Sequence, residues 1–122
     1  MLLVEAESYR AAGKHLLIDS HPVTKEAFGF RVTPFTLKRL LDLKIDHFIC
    51  LYADPDVLAE RIQKDPQGRP LPTKFELSVH VELQACVVSM YSILTGQPCH
   101  LVDSGIGAAQ LMQRIQRIIG LI

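Results

Sequence analysis

Three short apolar runs in this chain each lead into an acidic residue. "HLLID" (15–19) ends in Asp19 and continues with Ser20-His21, "HFICLYA" (47–53) is followed by Asp54, and "CHLVD" (99–103) ends in Asp103 and continues with Ser104. A carboxylate delivered to the tip of a buried strand can cap a following helix, start a turn or serve a bound ligand. Asp54 stands before Pro55 and a helical pattern, as an N-cap does. Asp103 stands where a turn would start. Asp19 has neither explanation, because "SHPVTKEAFGF" does not begin a helix at once. It is the acid most in need of a functional reason.

Other chemistries find less support. His21, Cys99 and His100 with an acid fit no zinc motif, since their spacing matches none and Cys99-His100 opens a buried strand. The three cysteines, Cys50, Cys86 and Cys99, are odd in number and lack a CxxC pair. No base is implied beside any of them, so they read as reduced thiols rather than nucleophiles or a disulfide framework.

The elements that must position these residues alternate along the chain. Residues 2–12 are good helix formers that stop at Gly13, and "HLLID" is short, apolar and bounded, as a buried parallel strand is. A loop from Ser20 to about Thr33 follows. Thr33 with Pro34 predicts a helix through "FTLKRLLDLK", then "HFICLYA" a second strand, then "DPDVLAERIQK" a helix. "DPQGRPLP" (65–72), with three prolines and a glycine, can only be a loop. Thr73 with Glu76 forms a capping-box pattern for a helix over about 74–95, stopped by Gly96 and Pro98. "CHLVD" is the third strand, and Ser104 can cap a last helix over about 106–119. Such alternation predicts an α/β fold, a parallel sheet with helices on both faces and ligands bound beyond the carboxyl ends of the strands.

Composition limits the function classes. At 122 residues the chain is expected to form a single domain, 1–122, and 48% hydrophobic content argues against disorder. Thirteen basic and thirteen acidic residues cancel, and no segment is rich in Lys and Arg, so neither nucleic acid nor a membrane surface is an expected partner. "ACVVSMYSIL" is too short to span a bilayer. The N-terminus lacks the basic region of a signal peptide, so a cytoplasmic location is expected.

The motifs "LLIDSH" with Lys25 and Gly29-Phe30 beyond it, "LYADPDVLAERI", "HVELQACVVSMYSILTG" and "HLVDSG" occur in that order from Lys14 to about Ile119. Their order and spacing resemble the C-terminal two-thirds of a P-loop nucleoside monophosphate kinase, nearest to the archaeal-type adenylate kinases and related ATPases. The resemblance implies a doubly wound, three-layer sheet that moves a phosphoryl group from ATP to a nucleoside monophosphate. It implies that Asp19 helps hold magnesium through water, beside the β- and γ-phosphates. Ser20 and His21 would lie in the loop facing the acceptor nucleotide. Arg61 would pack at the base or phosphates just before a short lid, 65–73, with Lys64 and Arg69 as phosphate-facing cations. Asp103, Ser104 and Gly105 would form the turn beside adenine. His80 and Glu82 match a His-x-Glu after the lid, but Ala85 stands where the family has an arginine.

The sequence also departs from the family in lacking G-x-x-x-x-G-K-[ST], the phosphate-cradling loop, and the strand before it. In the family that strand separates the counterparts of "HLLID" and "HFICLYA". Three outcomes follow: the two strands pair directly, two copies complete one another's sheets, or the chain is part of a longer product that starts mid-domain. The expectation is a nucleotide-binding protein inactive alone, with ATP and magnesium engaged only if the loop is supplied. The other reading is a self-associating or partner-binding module. It would act through exposed strand edges or helix 74–95, whose "ACVVSMYSIL" is apolar on more than one face.

Overall fold

The computed structural model describes residues 2–65, 67–68 and 70–120. Its elements are α1 (Leu2–Ala11), β1 (Val23–Glu26), β2 (Gly29–Val32), α2 (Leu37–Leu43), β3 (Phe48–Tyr52), α3 (Pro55–Lys64), α4 (Lys74–Thr95), β4 (Cys99–Asp103) and α5 (Ala108–Ile118).

The fold is mixed α/β, with two two-stranded sheets in place of the expected three-layer parallel sheet. β3 and β4 pair in parallel, Phe48 opposite Cys99 and Tyr52 opposite Asp103. This is the relation expected of the second and third apolar runs. "HLLID" is different: residues 14–21 belong to no helix or strand. A strand needs a neighbour about 4.8 Å away to complete its ladder. On the side of β3 away from β4, residues 15–22 face a cavity instead.

The loop expected over 20–33 contains an antiparallel hairpin, β1 with β2, in which Glu26 faces Gly29 across the two-residue turn Ala27-Phe28. Gly29 takes φ 143°, a region L side chains avoid. The hairpin docks on the first half of α4. Val23 is buried, and its carbonyl accepts a hydrogen bond from His80 Nε2 at 2.9 Å, which assigns the proton of that ring to Nε2. Phe30 packs edge-on against the same ring, and Lys25 Nζ lies 3.3 Å from the Glu76 carboxylate.

The helix ends follow their local chemistry. Thr73 Oγ1 accepts from Glu76 N, and Glu76 Oε1 accepts from Thr73 N, the reciprocal capping box. Gly96 stops α4 in the left-handed region at φ 75°. Asp54 caps α3, with Pro55 at its first position. α2 is capped by Thr36 rather than Thr33 and starts later than expected, at Leu37. α5 starts at Ala108, and its cap is Gly107, with no side-chain bond. Ser104, expected to cap it, is engaged elsewhere.

The core gathers Leu40 of α2, Phe48 and Cys50 of β3, and Val88 and Tyr91 of α4, with Phe35, Ile45 and Cys99 packed around them. Tyr91 also accepts a hydrogen bond from Phe35 N at 2.9 Å, which ties the entry of α2 to α4. α4 touches β1, β3, β4, α2 and α3. It spans the 22 residues expected of it, and by length and composition alone it could cross a bilayer. Here Leu77, Val88 and Tyr91 are buried on its inner side, while Met90, Ile93 and Leu94 are exposed.

Candidate functional site at the carboxyl ends of the parallel strands

Because β3 and β4 run in parallel and in register, their carboxyl ends meet at one rim. There Asp54 Oδ1 accepts from Asp56 N at 2.8 Å and is used as a cap. Asp103 Oδ1 accepts from Gly105 N at 2.8 Å, a side-chain-closed turn. A Cβ at position 105 would lie 3.1 Å from that same oxygen, tighter than most side-chain contacts. Glycine therefore suits the turn.

Ser104 closes the rim. Its amide donates to Tyr52 O at 2.7 Å, and its hydroxyl donates to the same carbonyl at 3.0 Å. Arg61, in the last turn of α3, donates from Nη2 to Ser104 O at 2.6 Å and from Nη1 to Ser104 Oγ at 3.2 Å. The guanidinium is thus fixed in orientation over the turn. Between them opens a cavity of about 300 Å³, lined by Tyr52, Leu58, Arg61, His80, Gln84 and Ser104 among others. It combines apolar walls, one oriented cation and a turn rich in backbone polar groups, the usual furnishing of a small-molecule site.

A second cavity, about 750 Å³, lies between residues 15–22 and the free edge of β3. Asp19, Ser20 and His21 stand on its wall. The Asp19 carboxylate is 3.8 Å from His21 Nε2, and both side chains are largely exposed, 91% and 75%. Leu51 and Gln84 line both cavities, so the two adjoin along the β3 edge.

The expected site residues therefore fall into two groups. Arg61, Asp103, Ser104 and Gly105 come together at the strand ends, and Asp19, Ser20 and His21 stand at the neighbouring cavity. Lys64 is exposed at the end of α3. Arg69 lies outside the described residues, so the lid-like loop 65–73 is described only in part. His80 serves structure, because its Nε2 is committed to Val23 O; Glu82 is exposed.

Among the described residues no three His, Cys, Asp or Glu side chains converge as a metal cage. A water-mediated magnesium site needs less, one or two carboxylates with the rest from phosphate and water. Burial pushes the Cys50 and Cys99 thiols above the usual thiol range, which disfavours the reactive thiolate at those two positions.

Two arrangements escaped the sequence. The Tyr52 carbonyl organises the Ser104 turn, which nothing in the residue types signals. His47 and His100 meet across β3 and β4, with Nδ1 and Nε2 3.3 Å apart. Strand register would have revealed this, since His100 lies opposite Ile49, two residues from His47. No family model and no curated protein matches the chain.

Proposed function

We propose that this chain binds the base and sugar of a nucleotide at the carboxyl ends of β3 and β4, in the manner of the P-loop nucleoside monophosphate kinases, and transfers no phosphoryl group by itself. The observation that carries this reading is the Arg61–Ser104 pairing beside a cavity of about 300 Å³ at the strand ends. Ligands of parallel α/β sheets bind at that rim.

In this reading the Asp103–Gly105 turn offers backbone groups to the base edge, and Arg61 lies against the base or its phosphates. The phosphates run along the β3 edge toward Asp19, past Leu51 and Gln84, which line both cavities. Asp19 holds magnesium through water, and that ion neutralises charge on the phosphates. Ser20 and His21 face the acceptor, while Lys64 and Arg69 supply cations at the lid.

Phosphoryl transfer is positioning plus charge neutralisation. These 122 residues hold no G-x-x-x-x-G-K-[ST] loop. Each charge-assisted phosphate contact contributes about 1.5–3 kcal/mol. Without several of them, binding near −4 kcal/mol, a millimolar dissociation constant, is expected.

The test is an amide-resolved NMR titration with adenosine, AMP and ATP with magnesium, beside a coupled assay with ATP and AMP. Shifts should concentrate at Tyr52, Arg61 and Asp103–Gly105, with no turnover. Shifts absent from that rim would end the reading of the site. Robust turnover would end the reading of the chain as inactive alone.

A second reading, association with another chain or a second copy, is favoured by one specific observation. Residues 15–19 and the outer edge of β3 face one another without a ladder, and Leu17, Leu51, Met90, Ile93 and Leu94 are exposed around them and along α4. Open apolar edges favour pairing. Sedimentation velocity at micromolar concentration discriminates; a clean monomer contradicts association with a second copy.

A further inference from the structure

We infer that His47 and His100 form a two-histidine zinc site at the amino-terminal rim of the β3–β4 pair, at the opposite end of the strands from the Arg61–Ser104 turn.

The placement follows from register. Phe48 pairs with Cys99 and Ile49 with His100, and Phe48 N donates to Pro98 O at 2.9 Å. Residues opposite one another in a parallel pair share a face, and successive residues alternate. His47 therefore shares a face with Ile49 and, through it, with His100. Phe48, Cys50 and Cys99 take the other face, where they pack in the core under α4. His47 is exposed and His100 half-buried, so the pair can be reached from solvent.

The geometry is specific. The two rings are tilted by 44° with centroids 5.4 Å apart, and His47 Nδ1 lies 3.3 Å from His100 Nε2. At that distance the two nitrogens also satisfy hydrogen-bond geometry, one ring donating to the other according to tautomer. Two imidazole nitrogens each about 2.0–2.1 Å from one tetrahedral ion are about 3.3–3.4 Å apart. The same bonds at right angles about a square-planar ion would bring them to about 2.9 Å. The spacing is compatible with a tetrahedral ion such as zinc.

Among the described residues no third His, Cys, Asp or Glu joins the pair. Water must fill the remaining positions, so the pair offers one protein ligand fewer than an open zinc centre and two fewer than a structural cage. His100 lies within β4 and His47 directly precedes β3, whose first residue Phe48 donates to Pro98 O, so both backbones are held close to the strand pair. Zinc requires both nitrogens free of protons.

The test uses the full chain and zinc chloride alone, titrated in competition with a chromophoric chelator, with cobalt(II) as a spectroscopic substitute. The expected result is one zinc equivalent, with visible cobalt bands of a tetrahedral site and no thiolate charge-transfer band. Binding should weaken more than tenfold in both His47→Gln and His100→Gln. It should persist in His21→Gln and Cys86→Ser, with amide spectra verifying that each variant is folded. The inference is overturned by absence of zinc binding, by equal affinity in either ligand variant, or by a thiolate band, which would identify a cysteine as the ligand.

Discussion

Arg61 and Ser104 are 43 residues apart in sequence, yet the guanidinium of one clasps both the carbonyl and the hydroxyl of the other, at 2.6 and 3.2 Å. Ser104 in turn hangs from the Tyr52 carbonyl by its amide and hydroxyl. One arginine on α3 thereby fixes the turn after β4 to the end of β3. Any ligand at this rim meets a surface that is already ordered.

Replacing that arginine should separate site from scaffold. Arg61→Ala is expected to cost about 1 kcal/mol in thermal or urea unfolding, because the contacts are solvent-exposed. Amide shifts should concentrate at Ser104 and Gly105, and the nucleotide-induced shifts there should disappear. Arg61→Lys should restore less than half of the lost stability, since a single ammonium cannot reproduce the fork.

The capping box of α4 gives a pH-dependent prediction. The Glu76 carboxylate accepts from Thr73 N and faces Lys25, which together hold its pKa below the usual carboxylate value. Its contribution is therefore complete above the unfolded pKa, about 4.3, and is lost as pH falls through the lower folded value. Glu76→Gln should flatten the acid limb of a stability–pH curve. Thr73→Ala should lower stability by about 1 kcal/mol near neutrality.

Core substitutions should rank by what they leave behind. Leu40 is 1% exposed at the centre of the cluster, and Leu40→Ala is expected to cost about 2–5 kcal/mol. Tyr91→Phe keeps the ring but leaves Phe35 N without its acceptor, so about 1–3 kcal/mol is expected. Denaturant midpoints of the two variants would check the order.

Thiol chemistry should follow burial. Cys86 is exposed, whereas the Cys50 and Cys99 thiols are pushed up by desolvation. Alkylation near neutral pH, followed by mass spectrometry, should therefore label Cys86 first, and labelling of Cys50 should track global unfolding.

The helix boundaries were the most legible part of the sequence. Thr73 with Glu76, Asp54 with Pro55, and Gly96 each carry their structural instruction in a few neighbouring residues, and all three act as expected. Thr33 and Ser104 mark the limit of such reading. Each could cap, but Thr36 was the better placed cap, and Tyr52 claimed Ser104 through a contact 52 residues away. "HLLID" has a strand's composition, yet a strand is a relation between two segments, and composition cannot supply the neighbour. The hairpin was hidden for the opposite reason: Ala27-Phe28 is not a recognisable tight-turn pair, while docking on His80 supplies what the turn lacks. Arg61 and Asp103–Gly105 were singled out through the family resemblance, whereas at the other end of the strands only three-dimensional register brings His47 to His100.

A pair of parallel strands is too small to hold itself together. The hairpin, both parallel strands, α2 and α3 all lean on α4, which serves as the keel of the molecule. Its central turns should be the last amides to exchange with deuterium. Once they open, little remains to keep the surrounding pieces in each other's company, so melting should be a single event governed by that one helix.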